Sequence, residues 1–227
     1  MRYPNLGYFS KIGSAALPYD TMHLVLSKVT QRLWELFSGE FGVTGTTPEP
    51  YILPKTTVTA IGREIEAGRA TVPSTQARSI RDINVHYRSY KASDWVFFFL
   101  SVGEVVLGNR LPEEIFVAFM YLCKAARLMF RPSGLSKVEL TTVESHIKNF
   151  CRAFYKYIYA GRPERRKVCR HVFFAPLDIV PNMRSCGPAW FCCHFPIERL
   201  IGTLLDLIGS HSQQYVSLMS AISHMYN

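Results

Sequence analysis

Apolar residues recur at three- and four-residue steps along most of the chain, which is the spacing of one helix face. A first helix is predicted over 17–39, with Asp20 as its N-cap and Gly39 at its end. Its buried face consists of five apolar residues: Met22, Leu26, Val29, Leu33 and Phe37.

The same spacing predicts further helices over these ranges: 57–68, 93–108, 112–130, 136–160 and 196–209. Ser136 and Glu139 match a capping box at the start of the longest one. Its predicted buried face is Leu140, Val143, Ile147, Phe150, Phe154 and Tyr157. The helix over 196–209 would bury Ile197, Leu200, Leu204 and Leu207. Strand signals are weak, with room for one short strand in "HVFFAPLDIV" (171–180), so a mainly α fold is predicted.

The domain organisation follows from composition. Residues 1–16 form an irregular N-terminal segment, and 17–227 form one helical region. Prolines, glycines and threonines predict a surface loop over 40–57. Residues 69–93 are polar and basic, and they form either a long connection or a connection with one short helix.

Membrane and secreted classes are disfavoured. The apolar stretches 95–107 and 115–130 contain charged residues and are too short to span a bilayer, so both are predicted to be core helices. The N-terminal residues lack the pattern of a secretory signal. The six cysteines include no C-x-x-C pair, so no zinc spacing results and free thiols in a reducing, intracellular compartment are expected.

The net charge of +9 favours polyanionic partners, nucleic acid above all. The basic residues are densest in one run: Arg162, Arg165, Arg166, Lys167 and Arg170. Arginine side chains suit phosphate oxygens, and three tyrosines just upstream suit stacking on bases. Cations are also ordinary after a helix C-terminus, because they offset its dipole, so a purely structural role stays open.

Two sites carry candidate metal chemistry, each beside a simpler interpretation. Asp20 and His23 share a helix face, where they could orient each other or contact a metal-bound water. The simpler interpretation is an N-cap aspartate followed by a polar residue of the first turn. Glu198 lies in the first turn of its predicted helix, where its charge suits the helix dipole and where a metal role would need further carboxylates. Nucleotide-binding and hydrolase signatures are absent from the sequence.

Three segments, in this order, resemble fungal CACTA-type (En/Spm-like) DNA transposases. They are "LPYDTMHLVLSKVTQRLWELFSGE" (17–40), the helical stretches "YKASDWVFFFL" (90–100) and "LP…IFVAFMYL" (111–122), and "CGPAWFCCHFPIERLIGTLL" (186–205). The resemblance covers about residues 17 to 222. It implies a DDE transposase, whose RNase H-like catalytic core is interrupted by helices and whose carboxylates bind Mg²⁺ or Mn²⁺.

The resemblance also assigns residues. Asp20 and His23 match the family's D-x-x-H motif, Glu198 matches its third catalytic carboxylate, and Arg199 would orient Glu198 or contact a phosphate. The first two catalytic aspartates should lie on strands upstream of Asp20, and the 19 residues before it contain no aspartate. One carboxylate cannot hold two divalent ions against water.

The sequence therefore predicts a fragment or remnant of a transposase that does not cleave DNA by itself and binds no metal alone. Its expected partners are DNA and other transposase chains, in the nucleus if it functions. The alternative is a non-catalytic helical interaction or nucleic-acid-binding module.

Overall fold

The computed structural model describes residues 20–41, 49–72, 80–131, 133–191, 193–208 and 212–225. The predicted irregular segment 1–16 lies outside these residues. The described part of the chain is mainly helical and contains no strand, which confirms a mainly α fold. It divides into two compact units, with the boundary between 192 and 193.

The first unit begins with the helix predicted from the first apolar series. A π-helical segment, Met22–Val29, continues directly into α1, Thr30–Phe37. All five residues of the predicted face are buried. Gly39 has a φ of +80°, a left-handed conformation that ends a helix at little cost for glycine, as predicted.

The following elements are short helices around the polar connection. Helix α2 spans Lys55–Gly68, and a 3₁₀ turn, Arg69–Thr71, extends it. Helix α3 spans Ile83–His86, and a 3₁₀ turn, Tyr87–Ser89, follows. The region 69–93 thus contains a short helix. The prediction of a surface loop over 40–57 is wrong at its end, because Tyr51 and Leu53 are buried in the core.

The centre of the unit is formed by long helices. Helix α4, Ala92–Phe97, a π-helical segment, Phe98–Val102, and α5, Gly103–Leu107, follow one another without a break. Helices α6, Glu113–Met129, and α7, Lys137–Ala153, form the most extensive helix pair, and the π-helical segment Phe154–Tyr159 continues α7. The predicted capping box is present: the Ser136 hydroxyl accepts the Glu139 N–H, and the Glu139 carboxylate accepts the Ser136 N–H.

The predicted buried face of α7 is largely confirmed. Val143, Ile147, Phe150 and Phe154 are at most 1% exposed, while Leu140 and Tyr157 are half-buried. The possible strand over 171–180 is wrong. Its residues form 3₁₀ turns, His171–Phe173 and Ala175–Asp178, and the start of α8, Ile179–Cys186.

The second unit contains α9, Phe195–Asp206, and α10, Gln214–Met225. The predicted burial of the apolar face of α9 is wrong. Ile197 and Leu200 are 51% and 58% exposed, and Leu204 and Leu207 are half-buried. The apolar periodicity correctly identifies a helix here, but a periodic face is buried only where another surface covers it.

Within the described residues, no helix combines the length and the apolar character that crossing a bilayer requires. The two apolar stretches, 95–107 and 115–130, form α4 to α5 and most of α6, where Trp95, Phe99 and Phe119 pack in the core. The prediction of core helices is therefore confirmed.

Candidate nucleic-acid interface

The backbone after α7 places the basic run on the surface. Ala160 and Gly161 have φ values of +55° and +63°, and these two left-handed residues turn the chain away from the helix axis. The run then forms a 3₁₀ helix, Pro163–Val168. Side chains three residues apart eclipse each other in such a helix. Accordingly, Arg165 and Val168 both point into the protein, while Arg166 and Lys167 are exposed.

Arg165 is the buried member of the run, at 4% exposure. Its Nε donates to Glu49 Oε1 at 3.0 Å, its Nη2 pairs with Glu49 Oε2, and its Nη1 donates to the Ile158 carbonyl at 2.9 Å. Its guanidinium also lies 5.5 Å from the centre of the Tyr51 ring. The side chain predicted to bind nucleic acid therefore serves an interior ion pair, and we remove Arg165 from the candidate interface.

The Tyr51 hydroxyl lies beside this ion pair. Tyr51 is fully buried, and burial together with the nearby Glu49 carboxylate raises the pKa of its phenol to about 12. The phenol is therefore neutral at all physiological pH values, and no second negative charge competes with Glu49 for the guanidinium.

Four cations of the run remain on the outside, and we call them the basic surface: Arg162, Arg166, Lys167 and Arg170. Arg170 is held in place, because its Nε donates to the Lys167 carbonyl at 3.2 Å and its guanidinium lies 4.7 Å from the centre of the Phe41 ring. Within the described ranges, no carboxylate forms an ion pair with any of these four residues. Their charge is therefore accessible to an anionic partner.

Exposed aromatic rings adjoin the basic surface. Tyr155 is 53% exposed, and its ring centre lies 5.3 Å from that of Tyr159. Lys156 is exposed, and its ammonium lies 4.8 Å from the centre of the Tyr157 ring. Arg162 donates its backbone N–H to the Tyr159 carbonyl, so the aromatic and basic parts are contiguous along the chain. Single-stranded nucleic acid is bound by cations, which contact its backbone, and by exposed aromatic rings, on which its bases stack.

The D-x-x-H pair forms the contact expected from its spacing. Asp20 Oδ1 accepts the N–H groups of Met22 at 3.1 Å and His23 at 3.3 Å, and Asp20 Oδ2 forms a hydrogen bond with His23 Nδ1. These bonds confirm the N-cap interpretation of Asp20, because they satisfy backbone donors of the first helical turn.

The metal interpretation of this pair is limited by the number of oxygen ligands that the motif supplies. Mg²⁺ requires near-octahedral oxygen ligation. The motif contributes a single carboxylate, and both of its oxygens are already bound within the first helical turn. Asp20 and His23 alone do not fit Mg²⁺, and their role in binding a metal stays a prediction.

Glu198 and Arg199 lie in the second unit, in the first turn of α9, and both side chains are exposed. Pro196 occupies the start of the helix, and the Glu198 N–H donates to the His194 carbonyl at 2.8 Å. A carboxylate at this position is stabilised by the helix dipole, and this effect alone explains its presence. The catalytic role of Glu198 and the orienting role of Arg199 stay predictions.

The sequence reasoning missed Glu49, which decides the role of Arg165. The two residues are 116 positions apart, so no local spacing connects them. No protein-family model, curated protein or solved structure matches this chain.

Proposed function

We propose that this chain is a fragment or remnant of a CACTA-type DNA transposase that contacts DNA through the basic surface and does not cleave DNA by itself. The observation that carries the proposal is the exposure of Arg162, Arg166, Lys167 and Arg170 without a carboxylate partner among the described residues. The motif resemblance and the net charge of +9 support it. A nuclear location would follow for a functional protein.

The physical argument rests on counterion release. Each cation that neutralises a DNA phosphate releases condensed counterions, so the affinity depends steeply on salt. Such contacts position a protein on DNA without reading its sequence. The proposal therefore concerns DNA contact in general and leaves the recognised sequence undefined.

Replacing three cations of the basic surface should weaken DNA binding strongly. In the variant Arg162→Gln/Arg166→Gln/Lys167→Gln, the slope of log K against log salt should become shallower by about 2.7, because three contacts are lost. At 0.1 M salt the affinity should fall on the order of 10²-fold. Fluorescence anisotropy with a labelled DNA duplex over a salt series measures both quantities.

A matched control removes the same charge elsewhere. The variant Lys55→Gln/Arg63→Gln/Lys137→Gln changes three exposed cations outside the basic surface. It should keep most of the affinity and nearly all of the salt slope. Equal losses in the two variants would mean that net charge, and not the basic surface, governs binding. An unchanged affinity in the first variant would refute the proposed interface.

A second candidate function is a helical interaction module that assembles with a second copy of the chain. It is favoured by the apolar residues of α9, where Ile197 and Leu200 are 51% and 58% exposed. With Leu204 and Leu207 they follow the 3-4-3 spacing of a coiled-coil seam. Two such helices could cover each other.

Self-association should depend on this seam if the second function holds. Sedimentation velocity at about 50 μM should then show a dimer for the unaltered chain and a monomer for Leu200→Glu, because a buried carboxylate is costly in an apolar seam. Thr203→Glu introduces the same charge at an exposed position on the same helix and should leave the dimer intact. A monomeric unaltered chain would exclude this function.

A further inference from the structure

A second group of cations lines a cavity of about 340 Å³ in the first unit, far along the sequence from the basic surface. It lies between the C-terminal end of α2 and the N-terminal end of α4. Its polar lining consists of Arg69, Arg81, Ser89, Tyr90, Lys91 and Asp94. Three exposed cations and one carboxylate thus line one cavity that is open to solvent.

The wall of this cavity is held by hydrogen bonds. Arg81 Nη2 donates to the Ser89 hydroxyl at 2.9 Å, and that hydroxyl donates to the His86 carbonyl at 2.9 Å. The Tyr90 hydroxyl donates to the Arg81 carbonyl, and the Tyr90 ring packs 5.1 Å from Trp95, which is buried. The Arg81 guanidinium is therefore positioned before any ligand arrives, which lowers the entropic cost of binding.

The carboxylates around the cavity are already bound to protein donors. Asp94 Oδ2 accepts the Lys91 backbone N–H at 2.8 Å. Asp82 Oδ1 accepts the N–H of Asn84 at 2.8 Å, since it caps α3. Glu66 accepts the Asp82 N–H at 2.8 Å and pairs with Arg69 at 2.6 Å.

Arg81 and Lys91 differ from Arg69 in their ion pairing. Within the described part of the chain, neither of them forms an ion pair with a carboxylate, although acidic side chains lie nearby. Since no described carboxylate pairs with either side chain, both positive charges are open to an external anion. An arginine fork and an ammonium are donors that a phosphate group accepts.

An apolar groove of about 240 Å³ adjoins this cavity, since Arg69 and Ile80 line both. Its other walls include Ile65, Phe97 and Val106. A ligand whose phosphate lies at Arg81 and Lys91 can therefore extend a flat or apolar body along the groove. A nucleotide has both parts.

We propose that the cavity binds the phosphate group of a nucleotide, with Arg81 and Lys91 as its ligands and the apolar groove receiving the base. The same chemistry is presented by a free nucleoside monophosphate and by the 5′-phosphorylated end of a DNA strand. The site is separate from the basic surface, and the proposal does not depend on DNA contact there.

Isothermal titration calorimetry with AMP and with adenosine tests the phosphate contact. We expect AMP to bind at least tenfold more tightly than adenosine, because only AMP carries the phosphate. The double variant Arg81→Gln/Lys91→Gln should remove this preference. The double variant Lys55→Gln/Arg63→Gln is the matched control, since both residues are exposed cations on α2 outside the cavity. It should bind AMP as the unaltered chain does.

A 5′-phosphorylated hexanucleotide and its unphosphorylated form distinguish the two ligand sources, with the basic surface neutralised by Arg162→Gln/Arg166→Gln/Lys167→Gln. A preference for the phosphorylated strand identifies a DNA end, and binding of AMP alone identifies a free nucleotide. Equal affinity for AMP and adenosine, an unaffected double variant, or no binding at millimolar AMP would each overturn the proposal. Circular dichroism spectra identical to those of the unaltered chain establish that the double variant is folded.

Discussion

The variant Glu49→Ala is expected to lose about 3–5 kcal/mol of folding free energy, because removing one partner of a buried ion pair leaves the other charge uncompensated. The Arg165 and Glu49 side chains are only 4% and 9% exposed. Arg165 keeps its bond to the Ile158 carbonyl in this variant, but a single carbonyl does not neutralise its charge. Urea denaturation followed by circular dichroism measures the loss.

An exposed ion pair provides the control. Glu64 pairs with Arg110, and its side chain is 50% exposed. Glu64→Ala should cost at most about 1 kcal/mol, since water solvates both charges when the pair is broken. A loss for Glu49→Ala no larger than that for Glu64→Ala would show that Arg165 reaches solvent.

Replacing the buried pair as a whole separates its structural role from DNA binding. The double variant Glu49→Leu/Arg165→Met should recover most of the lost stability, because apolar residues of similar volume often substitute for a buried pair. Its DNA affinity should match that of the unaltered chain, since Arg165 does not belong to the basic surface. A large loss of affinity in a stable double variant would return Arg165 to the interface.

Local spacing was sufficient to predict the longer helices, although it did not predict α8. The series from Val143 to Phe154 defines a face at three- and four-residue steps, and it is buried as predicted. The capping box at Ser136 is equally local, since its two members are three positions apart. These features depend on neighbours in the chain, so a single sequence contains them.

Long-range packing decides the rest, and no local pattern reports it. The basic run looked uniform in the sequence, yet Glu49 draws Arg165 inside while Arg166 next to it remains exposed. The periodicity of α9 defined an apolar face correctly but could not say whether another surface covers Leu200.

The candidate sites also differ in whether local spacing or long-range packing forms them. The Asp20–His23 contact follows from a spacing of three residues and was predicted. The cavity at Arg81 could not be predicted, because its walls come from separate helices whose packing brings Arg69 and Lys91 to one volume. Charge alone showed that region 69–93 to be basic.

The variant Phe154→Ala should destabilise the first unit about as much as Glu49→Ala. Phe154 is fully buried and stacks on Phe173, with ring centres 4.3 Å apart and planes inclined by 27°. Its ring also meets Phe174 edge-on at 5.9 Å. Truncating a buried phenylalanine removes this apolar contact and leaves a cavity, for a loss of about 3–5 kcal/mol.

Two further variants serve as controls for the stability loss of Phe154→Ala. Phe154→Leu retains most of the apolar volume and should lose less folding free energy than Phe154→Ala. Val138→Ala, at a position that is 76% exposed on α7, should change it by no more than about 0.5 kcal/mol.

Since Phe154 begins the π-helical segment that leads to Tyr159 and the basic surface, Phe154→Ala should also weaken DNA binding once the unit unfolds. Urea denaturation and anisotropy on the same samples should therefore show losses at the same denaturant concentration. DNA binding that outlasts the unfolding transition would mean that the basic surface works without the folded unit.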